Sequence, residues 1–303
     1  MEMRNVPVKN WMQEKKMSKL YIVPTPIGNL GDMTDRAIET LRESDLILAE
    51  DTRHTQKLLN FFDIKVRLVS YHKFNEISRS EEIINEILSE DKNVSLVTDA
   101  GTPCISDPGY ELVKRARESG IEVIGLAGAS AVTIALSVAG IDTYQFAFYG
   151  FMPRKKSELE EALEKIKDNP IKTFVLYESP KRVIKLVENI KGSMPNATVC
   201  VCKELTKLHE NTFYGNVDSV LEQLKNHEDV ERGEYVIVGY NNDYQEKNKS
   251  YVNSSIHGIL FDKLIHKDYS LKEAVNEVVE EGLASKNEAY KASLEIKNFI
   301  ENY

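Results

Sequence analysis

The sequence contains few cysteines and no long apolar run. Its 303 residues include three cysteines, Cys104, Cys200 and Cys202, and this odd, sparse set argues against a disulfide framework. No stretch of about 18 apolar residues occurs, so no transmembrane helix is predicted. The N-terminus lacks the apolar segment of a signal peptide. We therefore expect a cytoplasmic protein in which residues 1–17 form an extension outside the fold.

Several common catalytic signatures are also missing. The chain has no G-x-G-x-x-G fingerprint, no Walker A sequence and no H-E-x-x-H motif, and its six histidines show no metal-ligand spacing. Gly128-Ala129-Ser130 begins like a nucleophile elbow, but Val132 occupies the position of the second glycine. The sequence thus favours neither a P-loop enzyme, a metalloprotease nor a serine hydrolase, and we expect no metal.

Positive charge is in deficit. The chain has 39 Lys and Arg against 48 Asp and Glu, which gives a formal net charge of −9. A protein that coats nucleic acid usually has a basic surplus, so the sum argues against that class. Binding depends on local patches, however, and a negative net charge is compatible with a local basic surface.

Short apolar segments alternate with amphipathic segments in the first half of the chain. Such runs are typical of a parallel sheet that is buried on both faces. Closely spaced strands near residues 200–214 indicate a hairpin, so the second half is predicted to hold a mixed sheet. Cys200 and Cys202 should share one face of a strand and pack in the core. The predicted fold class is α/β, with two domains and a helical tail.

The expected domain boundaries follow from these segments. We assign 1–17 to the extension, 18–128 to a cofactor-binding α/β domain, 129–243 to a second α/β domain that closes the cleft, and 244–303 to a linker and helical tail. The tail contains two capping-box spacings, Ser270 to Glu273 and Ser285 to Glu288, with Gly282 in the turn between them. A helix-turn-helix or a docked helical hairpin would both fit this pattern. A third capping box is predicted from Ser78 to Glu81.

Three loops are rich in Gly, Pro, Asp and Ser, and each follows a predicted parallel strand. They span Pro24–Asp32, Asp99–Gly109 and Ala127–Ala131. In an open α/β sheet, ligands bind beyond the carboxyl ends of the strands, and glycines let the backbone approach them. Ordinary turns use the same residues. Three such loops together favour a shared small-molecule site.

Six segments resemble one family. PTPIGNLGD, AEDTRHTQKLL, DAGTPCISDPG, FAFYGFMPRKK, YESPKR and CKELTKLHE are similar to the ribosomal RNA small subunit methyltransferase I family, a branch of the S-adenosylmethionine-dependent tetrapyrrole methylases. The resemblance extends from about Leu20 to Tyr240. One departure is the Ala127-Gly128-Ala129 segment, where the family usually has prolines beside the glycine. The C-terminal helix-turn-helix also fits this branch.

The resemblance implies two α/β domains with S-adenosylmethionine in the cleft between them, and a homodimer. The positions that match the family's cofactor contacts are Pro26, Gly28, Asp99, Thr102, Ile105, Ser130, Ala131, Tyr177 and Cys202. The implied reaction is methyl transfer to the ribose 2′-hydroxyl of a cytidine in the decoding region of small-subunit (16S) rRNA.

A 2′-hydroxyl is a poor acid, so a base or a cation near it would assist the reaction. Candidates are Asp51, beside Glu50 at the end of a predicted strand, and the pair Lys203 and Glu204. Each would otherwise be a solvated loop charge or a helix cap. The hypothesis is that Asp51 or Glu204 assists removal of the proton.

Contacts with RNA require local positive charge. The candidate cations are Arg53, Arg154, Lys155, Lys156, Lys181 and Arg182, with Lys57 near the first. Phe151, Tyr71 and His72 are candidates for stacking on unpaired bases. Any one of these runs would also fit a solvated face.

Two alternatives stay open. One is a methyltransferase of the same fold that acts on a tetrapyrrole precursor, and the other is a non-catalytic RNA-binding or ribosome assembly factor. A DNA regulator fits less well, because the tail contains no arginine and lacks the basic face of such proteins. We therefore expect small-subunit rRNA as the partner, and neither DNA nor a membrane.

Overall fold

The computed structural model describes residues 18–245, 255–266 and 269–301. The chain forms two compact units, divided after Tyr244. No helix within the described ranges is long and apolar enough to cross a membrane. The predicted extension, residues 1–17, and most of the predicted linker, residues 246–254, lie outside the described residues.

The first sheet of the larger unit is entirely parallel, which confirms the prediction from its apolar runs. Its strand order is β3-β2-β4-β1-β5. The strands are β1 Lys19–Ile22, β2 Leu46–Ala49, β3 Leu68–Ser70, β4 Val94–Leu96 and β5 Glu122–Gly125. The helices between them are α1 Asp35–Glu43, α2 Thr52–Phe61, α3 Glu76–Glu90 and α4 Tyr110–Glu118. All residues of β2 and β4 are buried, as expected for central strands covered on both faces.

The second sheet is mixed, also as predicted. Its order is β6-β7-β10-β8-β9; β6 and β7 are parallel and the other neighbours antiparallel. The strands are β6 Phe146–Phe151, β7 Thr173–Glu178, β8 Thr198–Lys203, β9 Asn211–Asn216 and β10 Tyr235–Tyr240, and β8 with β9 forms the predicted hairpin. The associated helices are α5 Ala131–Val138, α6 Lys156–Lys167, α7 Val183–Ser193 and α8 Val217–Lys225.

Helix α5, which the sequence pattern did not single out, covers one face of the second sheet. Its Ala135 and Leu136 belong to the same apolar cluster as Cys200 and Cys202. Both cysteines are fully buried, and their sulfur atoms lie 3.8 Å apart on one face of β8. The prediction that these cysteines are core residues is therefore confirmed.

The predicted capping box from Ser78 to Glu81 is wrong, because α3 starts earlier. The Asn75 side chain accepts a hydrogen bond from the His72 backbone N–H at 2.8 Å, and this turn places the first helical residue at Glu76. Ser78 then lies inside the first turn, where its hydroxyl donates to the Asn75 carbonyl at 3.2 Å.

The described residues of the smaller unit form three helices, α9 Ile256–His266, α10 Leu271–Glu280 and α11 Lys286–Glu301. Both predicted capping boxes are confirmed: the backbone N–H of Ser270 donates to Glu273 at 2.8 Å, and that of Ser285 to Glu288 at 3.0 Å. Gly282 supplies the left-handed residue of the turn, with φ of 69°. The three helices share an apolar core that includes Leu260, Val278 and Ala289.

Candidate active site

The three glycine- and proline-rich loops meet at the carboxyl edge of the first sheet. Thr25 of the first loop and Gly101 of the second exchange backbone hydrogen bonds of 2.9 and 3.0 Å. The Thr102 hydroxyl donates to the carbonyl of Ala129 in the third loop at 3.0 Å. The strands that precede these loops, β1, β4 and β5, are neighbours in the sheet, so the predicted convergence is present.

A cavity of about 450 Å³ lies between these loops and the second sheet. The first-sheet side contributes Ile27, Glu50, Thr98–Thr102, Ile105–Asp107, Ser130 and Ala131. The second-sheet side contributes Phe151, Tyr177–Pro180, Leu205 and Gly233–Val236. The Tyr177 ring packs edge-on against Phe148 and Phe151, with centroid distances of 5.0 and 5.5 Å. This arrangement gives the cavity an apolar wall on one side.

Six of the nine residues that match the family's cofactor contacts line the cavity. They are Asp99, Thr102, Ile105, Ser130, Ala131 and Tyr177. Pro26 and Gly28 do not, although Ile27 between them does. Cys202 is also absent from the lining because it is fully buried in the core; Val236, its partner in β10, takes that place.

Gly28 lies against the segment that follows β8. A Cβ atom at this position would be 2.3 Å from Cγ of Lys207, so only glycine fits there without displacement. The Lys207 ammonium lies 2.7 Å from Glu204 and 2.8 Å from Glu234. Gly28 of the first loop thus contacts Lys207, and Lys207 in turn holds the lining residue Glu234.

Asp51 caps helix α2. Its carboxylate accepts a hydrogen bond of 2.8 Å from the backbone N–H of Arg53, and this bond lowers the pKa of Asp51. Its own backbone N–H donates to Asp99 at 3.1 Å. The exposed Asp51 side chain does not line the cavity, whereas the preceding residue, Glu50, does.

Lys203 and Glu204 hold the chain segment that leads into β10. The Lys203 ammonium is buried, 3.0 Å from Nε2 of His227, and donates to the Asp229 carbonyl at 2.7 Å. The Glu204 carboxylate accepts a hydrogen bond of 2.9 Å from the backbone N–H of Glu234. Neither side chain lines the cavity, but Glu204 positions Glu234, which does.

Asp107 is a lining residue that the sequence reasoning did not single out. Its carboxyl group is half-buried and faces Glu50 and Asp99. Burial, and secondarily the negative charge of Glu50, raises the pKa of Asp107 to about 6. The Thr98 hydroxyl donates to Glu50 at 2.9 Å, and its interaction with Asp107 acts against this rise by lowering the pKa of Asp107. Its position in the sequence indicated a role, since Asp107 belongs to the ISDPG part of the second loop.

All of the charged side chains that line the cavity are acidic. They are Glu50, Asp99, Asp107, Glu178 and Glu234, and within the described part of the chain no lysine, arginine or histidine joins them. Such a lining favours a ligand with positive charge. The apolar wall at Tyr177 and Phe151, together with Ile105 on the opposite side, suits a flat aromatic ring. A positively charged sulfonium attached to adenosine, as in S-adenosylmethionine, therefore fits the residues present.

Five of the six candidate RNA-binding cations have exposed side chains: Arg53, Arg154, Lys155, Lys156 and Lys181. Arg53, Arg154 and Lys181 follow the lining residues Glu50, Phe151 and Pro180 by one to three positions in the sequence.

Arg182 differs from the other cations because its guanidinium is used within the fold. It donates to the carbonyls of Met152 and Pro153 at 3.1 and 3.0 Å and pairs with the buried Glu178 at 3.1 Å. These contacts join β6 to the start of α7.

The proposed stacking residues have different environments. Phe151 lines the cavity and is 61% exposed. Tyr71 is fully buried, and its hydroxyl bonds to Ser80 at 2.9 Å, so the expectation that it stacks on a base is wrong. Its ring belongs to the apolar core of the first sheet together with Ile83 and Ile87 of α3. Phe74, which the sequence reasoning missed, is 96% exposed and lies 6.0 Å from the His72 ring.

Comparison with known proteins gives consistent matches. Residues 19–221 match the family described as Tetrapyrrole (Corrin/Porphyrin) Methylases. Two relatives share the name "Ribosomal RNA small subunit methyltransferase I". The one from Bacillus subtilis is 39% identical and covers 91% of this chain and 94% of its own length. The one from Halalkalibacterium halodurans is 42% identical, and the match covers 76% of this chain and 78% of that relative's length.

Solved structures agree with the fold. A diphthine synthase aligns with a TM-score of 0.55 at 18% identity, covering 73% of this chain and 89% of the other. The methyltransferase CobJ aligns with a TM-score of 0.54 at 16% identity, covering 74% of this chain and 95% of the other. Taken with the paired sheets and the acidic cavity between them, these matches show that the chain belongs to the tetrapyrrole methylase family and, within it, to the ribosomal RNA small subunit methyltransferase I branch.

Proposed function

We propose that this chain transfers a methyl group from S-adenosylmethionine to the ribose 2′-hydroxyl of a cytidine in the decoding region of small-subunit rRNA. The observation that carries the proposal is the cavity with five carboxylates and an apolar wall, located where the three family loops meet. The printed names of the relatives, "Ribosomal RNA small subunit methyltransferase I", support the choice of substrate.

The cofactor would supply an activated methyl group on a positively charged sulfur. Asp99, Thr102 and Ile105 in the second loop, with Ser130 and Ala131 in the third, would hold it largely through their backbone groups. Tyr177 would cover the adenine from the second sheet. Because the loops are hydrogen-bonded to one another, they hold this geometry before the ligand binds, and positioning contributes strongly to methyl transfer.

The exposed cations would receive the RNA. Arg53, Arg154 and Lys181 follow lining residues closely in the sequence, with Lys155 and Lys156 after Arg154, and phosphates bind such cations. Phe151, exposed at the cavity, offers a ring on which an unpaired base can stack. Arg182 would act indirectly, since its guanidinium fixes the segment that carries these groups.

The acidic lining also bears on the two alternatives. Tetrapyrrole precursors carry several carboxylates, and a cavity whose charged lining is wholly acidic would repel them. A non-catalytic RNA-binding factor would have no need for the hydrogen-bonded cofactor loops. We further propose, from the family resemblance, that the protein works in the cytoplasm as a homodimer.

The test is to map ribose methyl groups on small-subunit rRNA from cells with and without this protein. We expect one cytidine in the decoding region to lose its 2′-O-methyl group when the protein is absent. Complementation with Ser130→Trp, which fills the cavity, should fail. Ser137→Trp, an exposed position on the same helix α5, should restore the methyl group. An unchanged methylation map would contradict the proposal.

A further inference from the structure

The loop that carries Asp107 is held in an uncommon backbone conformation. Cys104 and Ser106 have φ of 70° and 72°, in the left-handed region that residues with a side chain rarely adopt. Such conformations persist only where the surroundings impose them. The loop is fixed at one end by the pairing of Gly101 with Thr25, and at the other by the Gly109 N–H, which donates to Glu76 at 2.9 Å.

The Thr98 hydroxyl lies near two carboxyl groups of the cavity. It donates to Glu50 at 2.9 Å, and its interaction with Asp107 favours the ionised form of that carboxyl group. A hydroxyl group has only one proton to donate, so it cannot serve both carboxylates as a donor at the same time. While Thr98 donates to Glu50, Asp107 therefore has no fixed donor of its own among the described residues.

The other four lining carboxylates already accept from fixed donors. Glu50 accepts from Thr98, Asp99 from the backbone of Asp51, Glu178 from Ser179 and Glu234 from Lys207. The charged groups that face Asp107 are Glu50 and Asp99, both negative. Tyr177 and Cys104 also face it, and because burial raises the pKa of Cys104 to about 11 and that of Tyr177 to about 12, both are neutral at physiological pH.

We propose that Asp107 accepts the proton of the 2′-hydroxyl during methyl transfer. This inference rests on the function proposed above. The O–H bond breaks and the proton moves to a carboxylate oxygen of Asp107. The electron pair on the 2′-oxygen forms the new bond to the methyl carbon, and the carbon–sulfur bond breaks with its electron pair retained by sulfur. A sulfonium and a carboxylate are thereby converted into a neutral thioether and a neutral carboxylic acid.

The surroundings of Asp107 favour this role. A general base is most effective when its pKa is near the working pH, and burial with the charge of Glu50 raises the pKa of Asp107 to about 6. Near pH 7.5 the group is ionised and ready to accept a proton. Its protonation also removes one of the negative charges crowded in the cavity.

The experiment compares the wild-type chain with Asp107→Asn on small ribosomal subunits that lack the methyl group. Single-turnover rates are measured from pH 5 to pH 9, and affinities for S-adenosylmethionine and for the subunit are measured by calorimetry and filter binding. Loss of a general base typically costs about 10²- to 10⁴-fold in rate, and we expect a loss in this range with both affinities unchanged. The wild-type rate should rise through a pKa near 6, and the variant should lack this rise.

A second readout does not depend on turnover. Carbon-13 NMR of carboxyl-labelled aspartate in the free protein should show one group titrating near pH 6, and this titration should be missing from Asp107→Asn. Asp63→Asn, a change at an exposed surface carboxylate, is the matched control and should keep both the rate and the titration.

Three outcomes would overturn the proposal: a variant that retains the wild-type rate, a rate loss that is explained by weaker cofactor binding, or a pH 6 titration that persists in Asp107→Asn. Failure of the proposed function is distinguishable, because the wild-type chain would then methylate no subunit at any pH. That result would contradict the proposed function and, with it, the role of Asp107 in the reaction.

Discussion

Asp51 and Asp107 show how the same side chain acquires opposite properties in different surroundings. Asp51 is exposed at the start of α2, and the Arg53 backbone N–H lowers its pKa by stabilising the charged form. Burial, and secondarily the negative charges of Glu50 and Asp99, raises the pKa of Asp107 to about 6. At the residue scale, the environment therefore makes Asp51 a permanent helix cap and Asp107 a group that gains or loses a proton near neutral pH.

The raised pKa of Asp107 has a consequence for stability. From its ordinary value of 3.8 up to about 6, the folded chain binds more protons than the unfolded chain, so stability falls as pH rises through this interval. Asp107→Asn removes this loss of stability, because asparagine carries no charge at any pH in this interval. We expect the variant to unfold at a higher temperature than the wild type at pH 7.5, with a difference that shrinks to zero below pH 4. A temperature difference that is the same at both pH values would contradict this origin.

The positions of Asp51 and Glu204 outside the cavity lining give a second prediction. Asp51→Asn keeps a side-chain acceptor for the Arg53 N–H, and Glu204→Gln keeps one for the Glu234 N–H. We expect both variants to retain near-normal methyl-transfer rates and normal affinity for S-adenosylmethionine, measured by single turnover and calorimetry. A large rate loss with normal cofactor affinity in either variant would instead assign proton removal to that residue.

At the scale of elements, the site depends on how closely three loops approach one another. Gly128 in the third loop lies against Pro24 in the first, and a Cβ atom there would be 2.6 Å from Cβ of Pro24. A proline ring cannot rotate away from such a contact. The glycine thus matters for contact between loops even though Ala127 and Ala129 replace the prolines that usually flank it in the family.

Replacing Gly128 with alanine should therefore separate the first and third loops. Overpacking of this kind typically costs about 1–3 kcal/mol, and we expect a loss of stability in this range together with weaker binding of S-adenosylmethionine. Thermal unfolding and calorimetry would measure both effects. Gly125→Ala is the matched control, because a Cβ atom at Gly125, three residues earlier, meets nothing within 4 Å. Equal behaviour of the two variants would show that the contact with Pro24 is unimportant.

At the scale of the whole molecule, the distribution of charge matters more than the net charge of −9. Carboxylates line the cavity, where a cationic cofactor fits, and others lie along α6, where several pair with lysines. Exposed cations, among them Arg53, Arg154 and Lys181, follow lining residues closely in the sequence. An acidic chain with local groups of exposed cations suits an enzyme that meets a structured ribosomal subunit briefly and does not coat RNA.

Charge reversal among these cations tests this distribution. Changing Arg154, Lys155 and Lys156 to glutamate should weaken binding to the small subunit and flatten its dependence on salt, because fewer counterions are released. Affinity for S-adenosylmethionine should be unchanged. Lys165 and Lys167, at the other end of α6, provide the control, and their reversal should leave RNA binding nearly intact. A salt dependence unchanged by the triple substitution would contradict an RNA-binding role for this segment.

Several parts of this protein could be predicted from local sequence pattern alone. Short apolar runs indicated a parallel sheet, the Ser-to-Glu spacings fixed the starts of α10 and α11, and the six family segments identified the loops that line the cavity. Hydrophobic periodicity and capping act over a few residues, so they can be recognised without knowledge of the fold. The failure at Ser78 was also local, since the Asn75 turn competed for the same helix start.

Which polar groups face the cavity depends on contacts that form only in the folded chain. Cys202 and Lys203 are adjacent to the lining in sequence, yet the pairing of β8 with β10 buries one in the core and directs the other to His227. Arg182 is engaged by carbonyls about 30 residues away. Asp107 obtains its raised pKa from burial in the folded chain and from the charge of Glu50. These outcomes depend on contacts between distant parts of the chain, and electrostatic and packing interactions act through space, so sequence spacing alone does not determine them.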